Sequence, residues 1–359
     1  MVDLFRNIIK NFRGIAENLP YFQNLLDIVF FCLHLVGEVV TFMHTVYCIS
    51  EFIECLKTVR KECVANGNRM YYRGEPKDYG ASTGTPSIAR NGRLLQNKES
   101  DLIRECERRL PMEFAACKST FEKLVKMQHY EVSTRLLDMT LNPLTALFFA
   151  LFVNPKSKVV GKHSGDAVVL VYEIPKGQIC NYHSDKVSVV ANIAVCHQGE
   201  FRVESLPNGD AFQSCRDIHY LLHEIRAEKP YFRPEIVKAH LPQFFCVHPL
   251  LDNPRIKAQQ GVFLLFGVDG DRHHLANVEK SGIRIHKIKI PESAKVQMLE
   301  DLCLLGKTFD EVYPDWDGVR EYFGSFRMIR LWERKNFCVW KTRTRLFQEG
   351  FLKCFLLRS

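Results

Sequence analysis

No Cys-x-x-Cys pair occurs in the 359 residues, although thirteen cysteines are scattered along them. Without that spacing no zinc site, or any other metal site, is assigned. The first residues lack the pattern of a secretory signal, so the cysteines are expected to be reduced, mostly buried thiols of a cytoplasmic protein. Gly-x-Ser-x-Gly and Gly-x-Gly-x-x-Gly are also missing, which removes support from the common hydrolase and dinucleotide folds. Gly306-Lys307-Thr308 copies the end of a phosphate-binding loop, but Asp301 stands where the first glycine belongs. A carboxylate there repels phosphate, so that reading is rejected. There is no internal repeat and no low-complexity segment.

Wholesale disorder is excluded by 46% hydrophobic and 25% charged residues. The net charge of +8 is concentrated: residues 327–359 hold nine basic and two acidic side chains, a net +7. Trp332, Phe337, Trp340, Phe347, Phe351 and Phe355 interleave with them. This mixture suits a nucleic-acid backbone or an anionic membrane, or a last element with its aromatic face on the body and its basic groups outside. At the other end, the run Ile28 to Ser50 is apolar, but His34, Glu38 and His44 favour a buried helix followed by a strand over a membrane span.

A helix is expected from Ser50, as N-cap, to Asn66-Gly67, with Phe52, Ile53, Leu56 and Val59 at helical spacing. Met70 to Glu75 reads as a strand, Lys77 to Gly92 as a loop, and the charged segment from Asn97 to Tyr130 as two helices broken near Pro111. Leu144, Leu147, Phe148 and Leu151 predict a buried helix after Pro143. β-rich runs follow at Gly165–Ile174, Glu235–Leu251, Gln259–Gly267 and Arg284–Pro291, and a helix is expected at Ser293 to Leu305, closed by Gly306. His219 and His223 share a helical face, but without a Glu after the first they are read as core or surface residues. Helices first and strands later indicate α+β. The division is an N-terminal helical extension (1–45), a main domain (46–326) and a basic aromatic tail (327–359).

The segment from Gln128 to Phe152 poses the functional question. Seven polar or ionisable side chains occupy the ten residues from His129 to Asp138, directly before the apolar helix. Burying them unpaired would cost several kcal/mol each, so they need partners or a ligand. Tyr71–Glu75 and Asn253–Phe263 are similar clusters, and the three contribute Arg73, Arg135 and Arg255. Converging arginines would bind phosphate or pyrophosphate; alternatively each pairs internally with Glu75, Asp138 or Glu131.

Tyr72-Arg73-Gly74, Gln128-His129-Tyr130, Thr134 to Asp138, Thr140, Asn142-Pro143 and Phe149-Ala150 resemble the FRG domain family, named for its aromatic-Arg-Gly motif. Arg255, Gln259, Gly261 and Phe263 resemble its later Arg-x-x-x-Gln-x-Gly-x-Phe, and the segment from Met298 to Val319 its closing helix and Tyr-Pro-Asp. Glu131 departs from the usual glycine and Met139 from the usual tryptophan. The order of motifs is similar to that of ADP-ribosyltransferases. The resemblance implies an α+β fold with split antiparallel β-sheets around a cleft and flanking helices, using NAD as cosubstrate. By it, Arg73 holds the NAD phosphates, Ser133 and Thr134 brace the ribose, and Gln259 lies near the position of the catalytic glutamate. The residues assigned to NAD are Tyr72, Arg73, Gly74, Glu75, Tyr130, Ser133 and Arg255. Those assigned to the reaction are Arg73, His129, Thr134, Arg135, Asp138 and Gln259.

An oxocarbenium-like transition state calls for a carboxylate near the ribose. Gln259 and Gln260 supply none, which leaves Glu75, Glu131 and Asp138. Three readings stay open. The first is an enzyme that transfers ADP-ribose to a macromolecule or hydrolyses NAD, as an intracellular toxin or defence effector. The second is a non-catalytic nucleotide or nucleic-acid binding module that uses the tail. The third is a nuclease or phosphoryl-transfer enzyme with His129 as acid/base.

Overall fold

The computed structural model describes residues 42–92, 98–152, 165–196, 202–278 and 283–314. Residues 1–41, which hold most of the N-terminal extension and of the Ile28–Ser50 run, and the basic tail lie outside them; the last four residues of the extension form a strand rather than a helix. The strands are β1 (Phe42–Thr45), β2 (Arg69–Glu75), β3 (Leu136–Thr140), β4 (Ala167–Ile174) and β5 (Ile179–Asn181). They continue with β6 (Phe244–His248), β7 (Gly261–Phe266), β8 (Val268–Asp269), β9 (Asp271–Leu275) and β10 (Arg284–Ile290). The longer helices are α1 (Ile49–Ala65), α2 (Glu99–Arg109), α4 (Thr120–His129), α5 (Pro143–Leu151), α6 (Asp185–Asn192), α8 (Arg216–Glu228) and α10 (Lys295–Leu304). One-turn helices are α3 (Pro111–Phe114), α7 (Asp210–Gln213), α9 (Pro254–Ala258) and α11 (Phe309–Val312).

Every residue of β4 is buried, as its unbroken apolar run predicts for a strand covered on both faces. It sits inside an eight-stranded sheet of order β1-β10-β4-β2-β3-β7-β6-β5. The class is α+β. The expected split pair of antiparallel sheets is instead one mixed sheet, with β1 parallel to β10 and β5 parallel to β6 at the edges. The sheet nevertheless almost parts in the middle. β2 pairs with β4 along its whole length but with β3 only at Tyr72 and Thr140.

On one face two cores flank this parting. Phe52, Val59, Leu147, Phe148, Met298 and Leu302 bring α1, α5 and α10 onto β2, β4 and β10. Ile103, Phe121, Leu124, Val190, Phe245 and Phe263 join α2, α4 and α6 to β6 and β7. The other face buries Tyr71, Leu137, Leu170, Phe244 and Leu264 under residues after the β8–β9 hairpin such as Ala276 and Ile283. α7 and α8 form a satellite cluster on α6.

Several local expectations change. α1 begins after Cys48 rather than Ser50, because the Glu51 carboxylate accepts the Tyr47 N–H at 2.7 Å and closes the first turn. It ends at Asn66, as expected, with Gly67 at φ +69°. The charged segment breaks twice, since Ser119 and Glu122 form a capping box that starts α4 afresh. The strand near residue 45 ends at Thr45, before Tyr47-Cys48. Asn142 caps α5 by accepting from Leu144 and Thr145, and Pro143 takes its first position. Of the described cysteines four are buried, five half-buried and Cys303 exposed, so burial is less general than expected. No helix among the described residues is long and apolar enough to cross a membrane.

Candidate active site at the parting of β2 and β3

Where the β2–β3 ladder lapses, a cleft of about 500 Å³ opens between the two cores. On β3, Leu136, Leu137, Met139 and Thr140 are buried, and Asp138 alone is exposed and lines the cleft. Gln128, on the last turn of α4, donates from Nε2 to Asp138 Oδ2 at 2.7 Å. His129 and Tyr130 follow at the rim with their rings edge to face, centroids 5.2 Å apart.

Arg73 closes the parting from β2. Its Nη1 donates to the Asp138 carbonyl at 2.7 Å, tying β2 to β3 where ladder pairing has stopped, and its Nε donates to Glu75 Oε1 at 2.9 Å. Arg90 donates to the same oxygen at 3.0 Å, and Glu75 is 1% exposed. Burial opposes the charge on Arg73, but Glu75 and Asp138 more than offset it and hold its pKa above the ordinary value. Glu75 is thereby enclosed between two arginines and does not line the cleft. Gly74 faces α5, where a Cβ would stand 1.8 Å from the Ala146 carbonyl oxygen. Tyr72 lines the cleft, and burial pushes its phenol up to about 12, so it remains a neutral hydroxyl.

Aromatic side chains also line the cleft. Phe152, stacked on the buried Phe148 at 5.0 Å, meets Phe309 at 4.8 Å, and Phe309 stacks on Tyr313 at 4.7 Å. The Arg255 guanidinium lies 4.6 Å from the Tyr313 ring centroid. Gln259 is not in a strand: it ends α9, its carbonyl accepts from Thr140 Oγ1 at 2.7 Å, and its Nε2 donates to Val312 O at 3.2 Å. It therefore joins β3 to the segment that carries Tyr313.

The structure thus brings Tyr72, Arg73, Gly74, His129, Tyr130, Asp138, Arg255 and Gln259 to one cleft. It leaves out Glu75, Ser133, Thr134 and Arg135. Arg135 is 1% exposed and bonds the Glu99 carboxylate through Nε and Nη2, with Nη1 on Phe266 O. Of the two readings of the arginines, internal pairing holds for Arg73, with Glu75, and for Arg135, though with Glu99, 36 residues upstream; only Arg73 and Arg255 of the three line the cleft. Thr134 is buried behind Gln128, and Ser133 is half-buried next to it. Glu131 also lines the cleft and has φ +62°, a left-handed conformation that explains why glycine suits this position. Sequence reasoning did not single out Gln128, Phe152, Phe309 or Tyr313 as site residues. Their signal was available only as motif letters and as apolar helix periodicity.

Among the described residues one trio, Glu62, Glu173 and His286, has metal-capable atoms close together. Arg284 already stands 3.2 Å from Glu173 and 3.9 Å from Glu62, and His286 Nε2 bonds Glu173 at 2.6 Å. A guanidinium holds the place of a cation there.

The family model of the FRG domain matches residues 68–158. The chain carries an FRG domain. Comparison with curated proteins and with solved structures finds no match. The FRG match includes Arg73, Gln128, Asp138 and Phe152, whereas Arg255, Gln259, Phe309 and Tyr313 lie beyond it and reach the same cleft through α9 and α11.

Proposed function

We propose that the cleft of this FRG-domain protein binds NAD as a cosubstrate and that Asp138 serves cleavage of the nicotinamide glycosidic bond. ADP-ribose would then pass to a macromolecular acceptor or to water. The observation that carries the reading is an exposed carboxylate and several aromatic side chains lining one cleft. A pyridinium is both flat and cationic, so ring faces and a carboxylate attract it together. Arg255 beside Tyr313 offers a fixed positive charge for a pyrophosphate.

In the reaction the bond between the ribose C1′ and the ring nitrogen breaks, and its electron pair leaves on neutral nicotinamide. Positive charge then develops on the ribose, and Asp138 stabilises it before the acceptor oxygen bonds to C1′. Of the three carboxylates considered, Glu75 is enclosed by Arg73 and Arg90, Glu131 and Asp138 both line the cleft, and Asp138 is preferred because it stands on β3 and accepts a hydrogen bond from Gln128. Gln259 is then a wall residue that holds the C-terminal segment in place.

The test is nicotinamide release from NAD by the full chain, with cell lysate and nucleic acid present as acceptors. The reading expects release that Asp138→Asn lowers by about 100-fold or more. Asp138→Asn is a better control than loss of Arg73, whose removal would leave Glu75 buried beside a gap. Equal release by the Asn variant, or none from folded wild-type protein under any condition, would overturn the reading; binding without release would favour a nucleotide-binding module.

A further inference from the structure

Behind Asp138 runs a hydrogen-bond chain whose direction is set by the backbone. The Leu136 N–H donates to Thr134 Oγ1 at 3.1 Å, and the same hydroxyl donates to Gln128 Oε1 at 2.6 Å. Thr134 is fully buried, and its one hydroxyl proton is spent on the Gln128 carbonyl. The Gln128 NH2 group is thereby turned to Asp138, where it donates to Oδ2 at 2.7 Å. A flipped amide would set its carbonyl oxygen against the carboxylate, two acceptors face to face. Each member thus requires the next, from a main-chain N–H to a charged group in the cleft.

We infer that Gln128 and Thr134 are positioning residues, which fix the direction in which the Asp138 carboxylate faces the cleft. The inference rests on the role given to Asp138 above. It also gives Thr134 a place in the site without contact with a ligand, in contrast to the ribose contact expected from the motif order. An amide donor favours the charged form of a carboxylate, whereas a second carboxylate in its place would make the two share a proton.

The experiment compares Gln128→Glu, Gln128→Met, Thr134→Val and Thr134→Ser in the full chain. It measures the pH profile of nicotinamide release and, independently, the titration of the Asp138 carboxyl carbon by NMR. In Gln128→Glu the acid limb of the profile and the carboxyl titration are expected to move up together by at least one pH unit. In Gln128→Met and Thr134→Val kcat should fall about tenfold with KM little changed, while Thr134→Ser restores wild-type behaviour. Melting curves identify any variant that fails to fold; Thr134→Val keeps the shape and Thr134→Ser keeps the hydroxyl, so the comparison stays open. An unmoved carboxyl titration in folded Gln128→Glu would overturn the inference. A chain that releases no nicotinamide yet shows the shift would overturn the reading of the reaction and uphold the positioning.

Discussion

Arg135 shows how a residue in a functional-looking motif can be structural. It and Glu99 are both buried, and the pair lies away from the cleft. Removing one partner strands the other charge, so Arg135→Met is predicted to cost about 3–5 kcal/mol in urea unfolding, whereas Arg135→Met with Glu99→Leu should recover most of that loss. A double variant as unstable as the single one would show that the pair does more than neutralise itself. Histidines add a pH dependence of definite sign. Burial lowers the pKa of His248, and Arg69 lowers it further; burial likewise lowers His44 and His240. The Tyr71 phenol, itself raised by burial, bonds His248 Nε2 at 3.0 Å. A group held neutral in the fold contributes stability above its unfolded value, about 6.5, and loses it as pH falls through the lowered folded value. The melting temperature should therefore drop between pH 7.5 and 5.5, and less so in His248→Gln, which keeps an acceptor for Tyr71. An equal drop in that variant would assign the acid sensitivity elsewhere.

Among the elements, β2 and α5 approach closely, because Gly74 lets the Ala146 carbonyl and the Ala150 N–H come up to the strand. A methyl at position 74 meets backbone rather than a mobile side chain. Gly74→Ala is thus predicted to destabilise by about 3 kcal/mol or more, beyond ordinary overpacking, and a loss under about 1 kcal/mol would show that α5 can shift freely. The same elements show what the sequence made legible. α5 was readable because Asn142, Pro143 and the apolar spacing agree, and β4 and β7 because apolar runs follow a loop or glycine. Gly306, at φ +82°, marked the end of α10. What stayed hidden depends on distant partners. Alternation within β2 and β3 gives no hint that they pair at one residue only, nor that edge strands run parallel. Gln259 read as strand because its neighbours Gly261 and Val262 do, while Pro254 and Asn253 start a one-turn helix just upstream.

At the scale of the whole molecule, the site belongs to no single motif. β2 brings Arg73, α4 and β3 bring Gln128 and Asp138, and α9 and α11 bring Arg255 and the Phe309–Tyr313 wall. The Asp138 carboxylate was legible only as one of three candidate acids; the fold encloses Glu75 between Arg73 and Arg90 and leaves Asp138 and Glu131 lining the cleft. A second depression of about 650 Å³, lined by Lys186, Glu228, Lys229, Tyr231 and His240, offers a contrasting location for any ligand. Hydrogen–deuterium exchange of the full-length Asp138→Asn protein, with and without saturating NAD, separates the two directly. The account predicts slower exchange at Gln128–Thr140 and Thr308–Tyr313, with none at Asp185–Val189 or Glu228–His240. Protection confined to the second depression, or no protection anywhere at saturating NAD, would contradict it.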